Sequence, residues 1–514
     1  VSPNPFTNHF EQELILRQGA IYLKGDHGFQ SKIWIDANNE IIHVENDSQN
    51  NFDVQVKLHS WRKEPKIIQE TNLNGIPGGI VESADVLVEE EDALLWYHRN
   101  SHEKAFEWTI KTLEIPLMDN LHNVLGNLTF GALVKGNRLT SVSETELTST
   151  PAKKNHIQIH TLNAQTQSAA AWVAEIRENA RQKRDFKADW KNHVLWWENF
   201  WDKSYIHISG TPDADTTSAG YAYAMYLNAM AGEGEFPIIW NGSMFAPAMS
   251  EVPQRNHTGF RYHDDPDYRS WGNLMLHQNL RLPFYSMNAA GQFNYSMPFI
   301  ELYMRGFPLM KDHTKAVFGH EGTVIRESTT LWGVIAPGVY GVNREGLEPG
   351  QQESAWHRTH WNAGLEVSWY MAEHYEYTQK EAFARDTFIP FASEVVKFFD
   401  VHWPHRDGKL YFPDVHVLES FRKADNPMPF VAGLMSVIDR LLKLPEHLTT
   451  ESDREYWKEV LARVPEIPTW EYKGKTLLAN AEVMKSSKVN VEVAELYSVF
   501  PYHIFGVGKP GLEL

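Results

Sequence analysis

The sequence contains no cysteine, so neither disulfide bonds nor thiolate metal sites can form in its 514 residues. Basic residues are also scarce, because 48 lysines and arginines face 66 aspartates and glutamates. No basic run supplies the positive charge that nucleic-acid binding requires, which argues against a nucleic-acid partner. The formal net charge of -18 disfavours a strongly polyanionic glycan by the same reasoning.

Long apolar runs are absent as well, and no stretch reaches the length of a membrane-spanning helix. No signal peptide is recognisable, but the chain begins at Val1 and not at a methionine. We therefore expect that an upstream segment has been removed and that the protein is periplasmic or secreted, with no membrane partner.

Aromatic residues are abundant, with 18 tryptophans and an aromatic fraction of 12%. Large hydrophobic cores account for many such residues, since aromatic side chains bury much apolar surface. Exposed aromatic faces also stack on sugar rings, so the same composition favours a carbohydrate ligand. The length predicts two or three domains, and 42% hydrophobic with 22% charged residues is typical of a globular protein.

Residues 1–165 show the alternation of apolar and polar residues that is typical of strands. Examples are QSKIWID at 30–36, FDVQVKL at 52–58 and HIQIHTL at 156–162, separated by clusters of Asn, Asp and Gly. Helical periodicity is nearly absent. The pattern predicts an N-terminal antiparallel β-sandwich domain over residues 1–165.

The pattern changes to helical after residue 165. An Ala-rich, charged stretch without Gly or Pro predicts one long linker helix within residues 166–205, from Ser168 to about Phe200. Beyond it, Pro390 predicts a kink in one helix, and Ser452 with Glu455 predicts a capping box at another. The predicted helices of residues 206–514 are Thr217–Ala231, Gly272–Ala289, Met297–Arg305, Asn362–Tyr377, Lys380–Phe399, Pro429–Leu442, Ser452–Val464 and Val491–Phe500.

The segment DPDYRSWGNLMLHQNLRLPFY at 265–285 combines a buriable apolar face with an unusual number of polar residues. Its polar set is His277, Gln278, Asn279 and Arg281. Buried polar groups without hydrogen bonds are costly, so these side chains are expected to line a cavity or to find internal partners. We interpret this segment as one wall of a sugar-binding pocket.

Four long sequence words carry a resemblance to a known family. They are DPDYRSWGNLMLHQNLRLPFY (265–285), PDVHVLESF (413–421), DNPMPFVAGL (425–434) and ELYSVFPYHIFGVGKP (495–510). They resemble a bacterial six-hairpin glycosidase-like family, a domain of unknown function that is distantly similar to glycoside hydrolase family 95. The resemblance implies an (α/α)6-toroid catalytic domain at 206–514 and an inverting, exo-acting glycoside hydrolase that removes a fucose-like or galactose-like terminal sugar.

The same resemblance implies the catalytic residues. It places the general acid at Glu419, in a loop that follows Phe398-Phe399 and Asp407-Gly408. An N-x-N amide pair of the distant relatives corresponds to His277 and Asn279, so a histidine replaces one amide. The family's base lies in a later hairpin, and the chain ends at Leu514 after fewer helices than a closed toroid has. We therefore expect a chain truncated at the C-terminus and at the N-terminus, with a missing segment or a second chain completing the toroid.

Local sequence supports an acid at position 419 but leaves an alternative open. Glu419 lies among the apolar residues Val417, Leu418 and Phe421, which predicts a raised pKa suited to a proton donor. Alternatively, Glu419 pairs with Arg422 or Lys423 as a structural clamp of the loop.

Further residues are predicted to contact the substrate: Trp240, Asn241, Asp267, Trp271, Gln278, Arg281, Glu327, Trp356, His360, Trp361 and Glu366. Each has a structural alternative. Asp265 and Asp267 also suit helix N-caps, Glu327 or Glu366 suits a satisfied buried acid, and any one tryptophan suits the core. No cofactor is predicted, and His357 with His360 lacks the carboxylate context of a zinc helix.

Two other functions remain open from the sequence. A polysaccharide lyase shares the predicted architecture, but it needs a Tyr or His base and a uronate substrate. A non-catalytic carbohydrate-binding protein is the third candidate, and it is favoured by the expected missing helices.

Overall fold

The computed structural model describes residues 1–68, 80–100, 104–113, 122–231, 234–239, 274–341, 344–348, 350–509 and 511. The chain forms two compact units, the first built mostly from residues 1–229 and the second mostly from residue 230 onward. The first is an antiparallel β-sheet domain and the second is mainly helical, as the sequence predicts. No described helix combines the length and the apolar character that crossing a membrane would require.

The first unit contains a large antiparallel sheet of eight strands in the order β1-β2-β3-β4-β13-β10-β9-β8. A three-stranded sheet, β11-β12-β5, faces it, and β6 pairs with β7. The strands are β1 Phe10–Ile15, β2 Ala20–Gly25, β3 Gln30–Ile35, β4 Ile41–Phe52, β5 Gln55–Lys57, β6 Lys66–Ile68, β7 Ile80–Glu82, β8 Val86–Val88, β9 Ala93–Arg99, β10 Leu128–Gly136, β11 Leu139–Ser143, β12 Glu146–Ser149 and β13 Ala152–Gln165.

Alternation along the strands gives the large sheet two apolar faces. Leu94 on β9 and Val134 on β10 pack with Leu147 of the small sheet, which forms the core between the two sheets. Their neighbours Leu95 and Leu133 pack instead against the helix that follows β13. Successive side chains of a strand point to opposite faces, so these two cores follow directly from the sequence pattern.

The predicted single linker helix is wrong, because the structure has two helices there: α2 (Ala169–Arg181) and α3 (Phe186–Lys203). The Ser168 side chain caps α2 by accepting from the Ala171 N–H, and Asp185 caps α3 in the same way. A residue that prefers to cap starts a new helix even where no Gly or Pro interrupts the chain. Helix α2 packs on the large sheet and is therefore part of the first unit.

Helix α3 is also held to the sheet domain. The His193 imidazole lies between the Ala37 N–H at 3.1 Å and the Gln18 carbonyl at 2.8 Å, and the Trp201 indole donates to the Leu16 carbonyl at 2.8 Å. Most of α4 (Pro212–Ala231), which the sequence places in the helical domain, is grouped with the first unit too. A further helix, α1, spans Lys104–Leu113.

The described helices of the second unit are α5 His277–Leu280, α6 Leu282–Ala289, α7 Phe293–Phe318, α8 Pro337–Tyr340, α9 Ala363–Thr378, α10 Glu381–Phe383, α11 Ile389–His402, α12 Met428–Leu442 and α13 Glu451–Arg463. A π-helical turn, Ala384–Phe388, ends two residues before Pro390. This turn confirms the predicted interruption, since a proline in a helix lacks one donor and crowds the preceding turn.

Three helix predictions need correction. The capping box of α13 uses Thr450 with Asp453, and not Ser452 with Glu455. The helix predicted at Val491–Phe500 is a short 3-10 helix, Ala494–Ser498. Part of the helix predicted at Gly272–Ala289 is instead a short strand followed by α5 and α6.

Short strands in the second unit position the loops between its helices. They are β14 Met275–Leu276, β15 Ser328–Thr329, β16 His405–Arg406, β17 Lys409–Leu410, β18 Val415–Val417, β19 Phe421–Pro427, β20 Thr469–Tyr472, β21 Lys475–Leu478 and β22 Ala481–Met484. β14 pairs with β15, and β19 pairs with both β18 and β22. These pairings hold the β18–β19 turn, which carries residue 419, and the start of α5.

Candidate active site

Glu492 joins the start of α5, which the sequence predicts to be part of a pocket wall, to the loop that carries Glu419. The Gln278 side-chain amide, on α5, donates to one oxygen of the Glu492 carboxylate. The other oxygen accepts from the Glu419 backbone N–H at 2.8 Å and from the Ser420 hydroxyl at 3.2 Å. The segments around residues 278 and 419 therefore share one acidic side chain.

The Glu419 carboxylate has polar partners on both oxygens. His357 Nε2 lies 3.0 Å from one oxygen, and Asn490 Nδ2 donates to the other at 3.1 Å. Its side chain is 27% exposed, so solvent reaches it. The preceding residue, Leu418, has a φ of 52°, a conformation that is strained for a branched side chain and that occurs preferentially at functional sites.

Among the described residues, Glu419 does not pair with Arg422 or Lys423, as the structural alternative would require. Arg422 instead donates to the Ala355 carbonyl and lies with its guanidinium carbon 3.7 Å from the centre of the Trp356 ring. Trp356 is 45% exposed, so much of this indole, next in sequence to His357, faces solvent.

A buried histidine fixes the loop that carries His357. His416, on β18, lies 2.7 Å from the Thr359 hydroxyl and 3.1 Å from the Ala355 carbonyl. Burial lowers the pKa of His416 to about 4, so its imidazole is neutral at physiological pH and bridges the two segments without a net charge. The loop is thereby tied to the strand that leads to Glu419.

Glu327 is a second carboxyl of the same cluster. One of its oxygens accepts from the Gln278 backbone N–H at 2.6 Å, and the other has no hydrogen-bond partner among the described residues. Burial raises the pKa of Glu327 to about 8, and the charges of Glu419 and Glu492 add to the effect. Glu327 therefore holds a proton at neutral pH. His360 Nε2 lies 3.8 Å from its free oxygen, and burial keeps the pKa of His360 well below the usual range.

Glu366 and Arg281 form a buried polar network beneath the cluster. Arg281 donates to the Glu366 carboxylate and to the Tyr497 hydroxyl, the latter at 2.8 Å. Glu366 also accepts from the Asn362 amide at 2.5 Å and from the Tyr285 hydroxyl at 3.2 Å. The hydrogen bonds of the Glu366 carboxylate are thus made within the protein. This matches the alternative in which Glu366 is a buried acid with internal partners and does not contact substrate.

His277 and Asn279, the predicted catalytic pair, differ in their surroundings. His277 is buried, with Nδ1 2.8 Å from the Tyr303 hydroxyl and Nε2 3.5 Å from Glu366. Burial keeps the pKa of His277 well below the usual range, so the ring is neutral. Asn279 is half-buried. Their catalytic roles stay predictions, and the position of His277 favours support of the site over contact with substrate.

Trp361 lies in an aromatic core, where its ring contacts Phe318, Phe398 and Trp403. This placement favours a packing role, and its predicted contact with substrate stays a prediction. Four other predicted site residues lie outside the described residues, namely Trp240, Asn241, Asp267 and Trp271. Asp265 lies outside them as well. In the described part of the chain, no three His, Asp or Glu side chains are grouped so that they could hold a metal ion.

Sequence reasoning missed Glu492 and Asn490. Both belong to the segment VNVEV at 489–493, which ends two residues before one of the four words that carry the family resemblance. The sequence predicts a helix from Val491 onward, and the alternation of valines with polar residues before it is no sign of a site. Nothing in it indicates that the two polar side chains meet Glu419.

Comparison with known proteins gives one family and a shared fold. Residues 1–206 match the family described as "Domain of unknown function (DUF5703)". No curated protein matches the chain. A solved structure from the human microbiome, described as a kojibiose phosphorylase, is similar with a TM-score of 0.54 and 11% identity over 89% of this chain. A bacterial glucoamylase complexed with acarbose gives a TM-score of 0.40 and 9% identity over 89% of this chain.

The chain spans 57% of the length of each of these two proteins. At this level of identity, the first similarity shows the fold alone, namely a β-sheet domain followed by a helical domain.

Proposed function

We propose that the chain belongs to an enzyme that cleaves glycosidic bonds, with Glu419 as proton donor in an (α/α)6-toroid domain. The observation that carries this proposal is the pairing of two carboxyls with opposite environments. Glu419 is accessible and has polar partners, whereas Glu327 is buried in the same cluster and its pKa is raised to about 8. Glycosidase sites typically hold two carboxyl groups whose surroundings differ.

The proposed chemistry uses the accessible side of this cluster. A terminal sugar ring stacks on the part of the Trp356 indole that Arg422 leaves open to solvent, and its glycosidic oxygen approaches the Glu419 carboxyl. The proton passes from Glu419 to that oxygen while the bond between the anomeric carbon and the oxygen breaks. Water attacks the anomeric carbon from the opposite face and passes a proton to the general base, which the family resemblance places in a later hairpin, so that the configuration inverts.

Several surrounding residues support this geometry. Glu492 fixes the backbone of Glu419, and His357 orients its carboxyl. The similarity in fold to a protein described as a kojibiose phosphorylase is consistent with a sugar substrate. The closer relation to glycoside hydrolase family 95, with a fucose-like or galactose-like sugar, is part of this proposal.

The test compares leaving groups. In Glu419→Gln, an aryl glycoside with a poor leaving group is expected to lose about 100-fold or more in turnover, because it needs the proton. A dinitrophenyl glycoside or a glycosyl fluoride needs little protonation and is expected to keep most of its rate. The matched control is Glu459→Gln, since the Glu459 side chain is 71% exposed on α13. Equal losses for both kinds of substrate, or full activity of the variant, would remove Glu419 from the mechanism.

The same assays separate the competing functions. Proton NMR of the first product reports the anomer and thus inversion or retention. A product that absorbs in the near ultraviolet would indicate a lyase, and a sugar phosphate formed only with inorganic phosphate would indicate a phosphorylase. Binding of glycans without any cleavage would favour the non-catalytic alternative.

A further inference from the structure

A small hairpin of the second unit exposes two aromatic rings to solvent. Trp470 is 51% exposed and Tyr472 is 47% exposed, and both lie on β20. Their ring centres are 5.4 Å apart, and the ring planes are inclined by 40°. Exposed apolar surface that is contiguous can mark an interaction site.

The hairpin geometry holds the two rings on the same side. The turn residues Lys473 and Gly474 both have positive φ, at 51° and 75°, as a two-residue type I′ turn requires. Residues two apart on a strand point to the same face, which places the rings of Trp470 and Tyr472 together. Glu471 points to the other face, where its carboxylate accepts from the Thr476 hydroxyl at 2.5 Å.

A cleft of about 400 Å³ with a mixed polar and apolar lining begins at the base of this hairpin. Its lining includes Thr469 of β20, together with Arg406, Asn426 and Glu482. The Glu482 carboxylate accepts from Arg406 at 2.5 Å and from the Asn426 amide. Charged and amide groups that are already fixed by one another can offer hydrogen bonds in defined directions.

The charges of the cleft are nearly balanced. Arg406 and Lys409 contribute two positive charges, and Asp407, Glu466 and Glu482 contribute three negative ones. A polyanion gains nothing from such a lining, whereas the hydroxyl groups of a neutral sugar can both donate to it and accept from it.

The cleft is separate from the candidate active site. Strand β19 begins at Phe421, two residues after Glu419, and Asn426 lies near its other end. Five residues of extended strand span roughly 17 Å. The cleft is therefore farther from the Glu419 loop than the length of two sugar rings.

We propose that the β20–β21 hairpin and this cleft form a second, non-catalytic binding site for a neutral glycan chain. Successive sugar rings stack on Trp470 and Tyr472, and the hydroxyls of the next ring bind in the cleft beside Glu482. The inference rests on the proposed function only in its choice of a carbohydrate as ligand. Such a site holds a polymer near the active site and matters less for short substrates, because they cannot reach both places.

The test is affinity electrophoresis of the whole chain in native gels that contain amylopectin, xyloglucan or arabinogalactan, with alginate as a polyanionic comparison. The parent protein carries Glu419→Gln so that no polymer is degraded. At least one neutral polysaccharide is expected to retard the parent, and Trp470→Ala with Tyr472→Ala is expected to weaken binding roughly tenfold. Trp470→Phe, which keeps a flat ring, should retain most of the binding.

Two further measurements make the outcome decisive. Trp356→Ala, in the candidate active site, should leave the retardation nearly unchanged. With Glu419 intact, the hairpin variant should lose activity on the polymer but not on an aryl glycoside.

The proposal is overturned if no neutral polysaccharide retards the parent, if the double variant is retarded equally, or if alginate alone binds. It is also overturned if Trp470 and Tyr472 instead mediate self-association in sedimentation experiments. Hairpin-dependent retardation by a protein that cleaves no glycoside would refute the proposed function and leave this site standing.

Discussion

The substitution Glu327→Gln tests the electrostatics of the site through the pH dependence of stability. Glu327 is buried, and one oxygen accepts from the Gln278 backbone N–H at 2.6 Å. Glutamine keeps the shape and can keep this acceptor, but it cannot ionise. The variant therefore isolates the contribution of a single proton.

The sign of the effect follows from the direction of the shift. Burial raises the pKa of Glu327 from 4.5 to about 8 in the folded protein. The native state therefore binds one proton more than the unfolded state at intermediate pH. The resulting stabilisation is fully present below pH 4.5 and is lost as the pH rises through about 8. At about 1.4 kcal/mol per pH unit, the whole effect has an upper limit of roughly 5 kcal/mol.

The assay is denaturant unfolding of wild type and Glu327→Gln at several pH values between about 5 and 8. The stability of the wild type is expected to fall relative to the variant, with a difference in slope approaching about 1.4 kcal/mol per pH unit. Glu459→Gln, on an exposed side chain, should show no such difference in slope. Parallel curves for wild type and Glu327→Gln would refute the claim that Glu327 is protonated in the folded protein.

Three further predictions concern neighbouring residues. Arg326 is fully buried, its three guanidinium nitrogens have no hydrogen-bond partner among the described residues, and burial lowers its pKa to about 9. Arg326→Met is therefore expected to stabilise the fold by about 1–4 kcal/mol in thermal unfolding, and destabilisation would contradict this reasoning. Glu492→Ala should lower turnover about tenfold more than Glu492→Gln, because glutamine keeps an acceptor for the Glu419 N–H, and equal losses would exclude that role. Trp356→Ala should raise KM roughly tenfold with a smaller effect on kcat, and Trp356→Phe should recover part of the loss. An unchanged KM would show that the substrate does not stack on Trp356.

Much of the first domain was predictable because strand alternation is a local property. The pattern around Leu94 and Leu133 already separates two faces, and the structure places those faces against different layers. The break between α2 and α3 was missed because Asp185 reads as one more charged residue of a helix. Its capping role depends on the backbone leaving the helix at Gln182, and no Gly or Pro marks that point.

The candidate site was predictable only in part, for a different physical reason. The family resemblance identified the segments of Gln278 and Glu419, and the structure joins them through Glu492. That contact spans 214 residues on one side and 73 on the other, so no periodicity within either segment indicates it. Trp356 and Trp361 were equivalent in sequence, and only tertiary packing makes one exposed and the other part of the core.

Arg326 and Glu327 are adjacent and buried, and they offset the cost of burying an ionisable group in different ways. They do not pair with each other, because Arg326 lies over the Trp361 ring at 4.5 Å while Glu327 binds the Gln278 backbone. Arg326 keeps its charge at neutral pH, and among the described residues the rings of Phe318 and Trp361 lie against its guanidinium group. Glu327 escapes the cost of ionisation by keeping its proton. Glu419, in the same cluster, has a side chain that is 27% exposed, so its carboxyl group meets water while that of Glu327 does not.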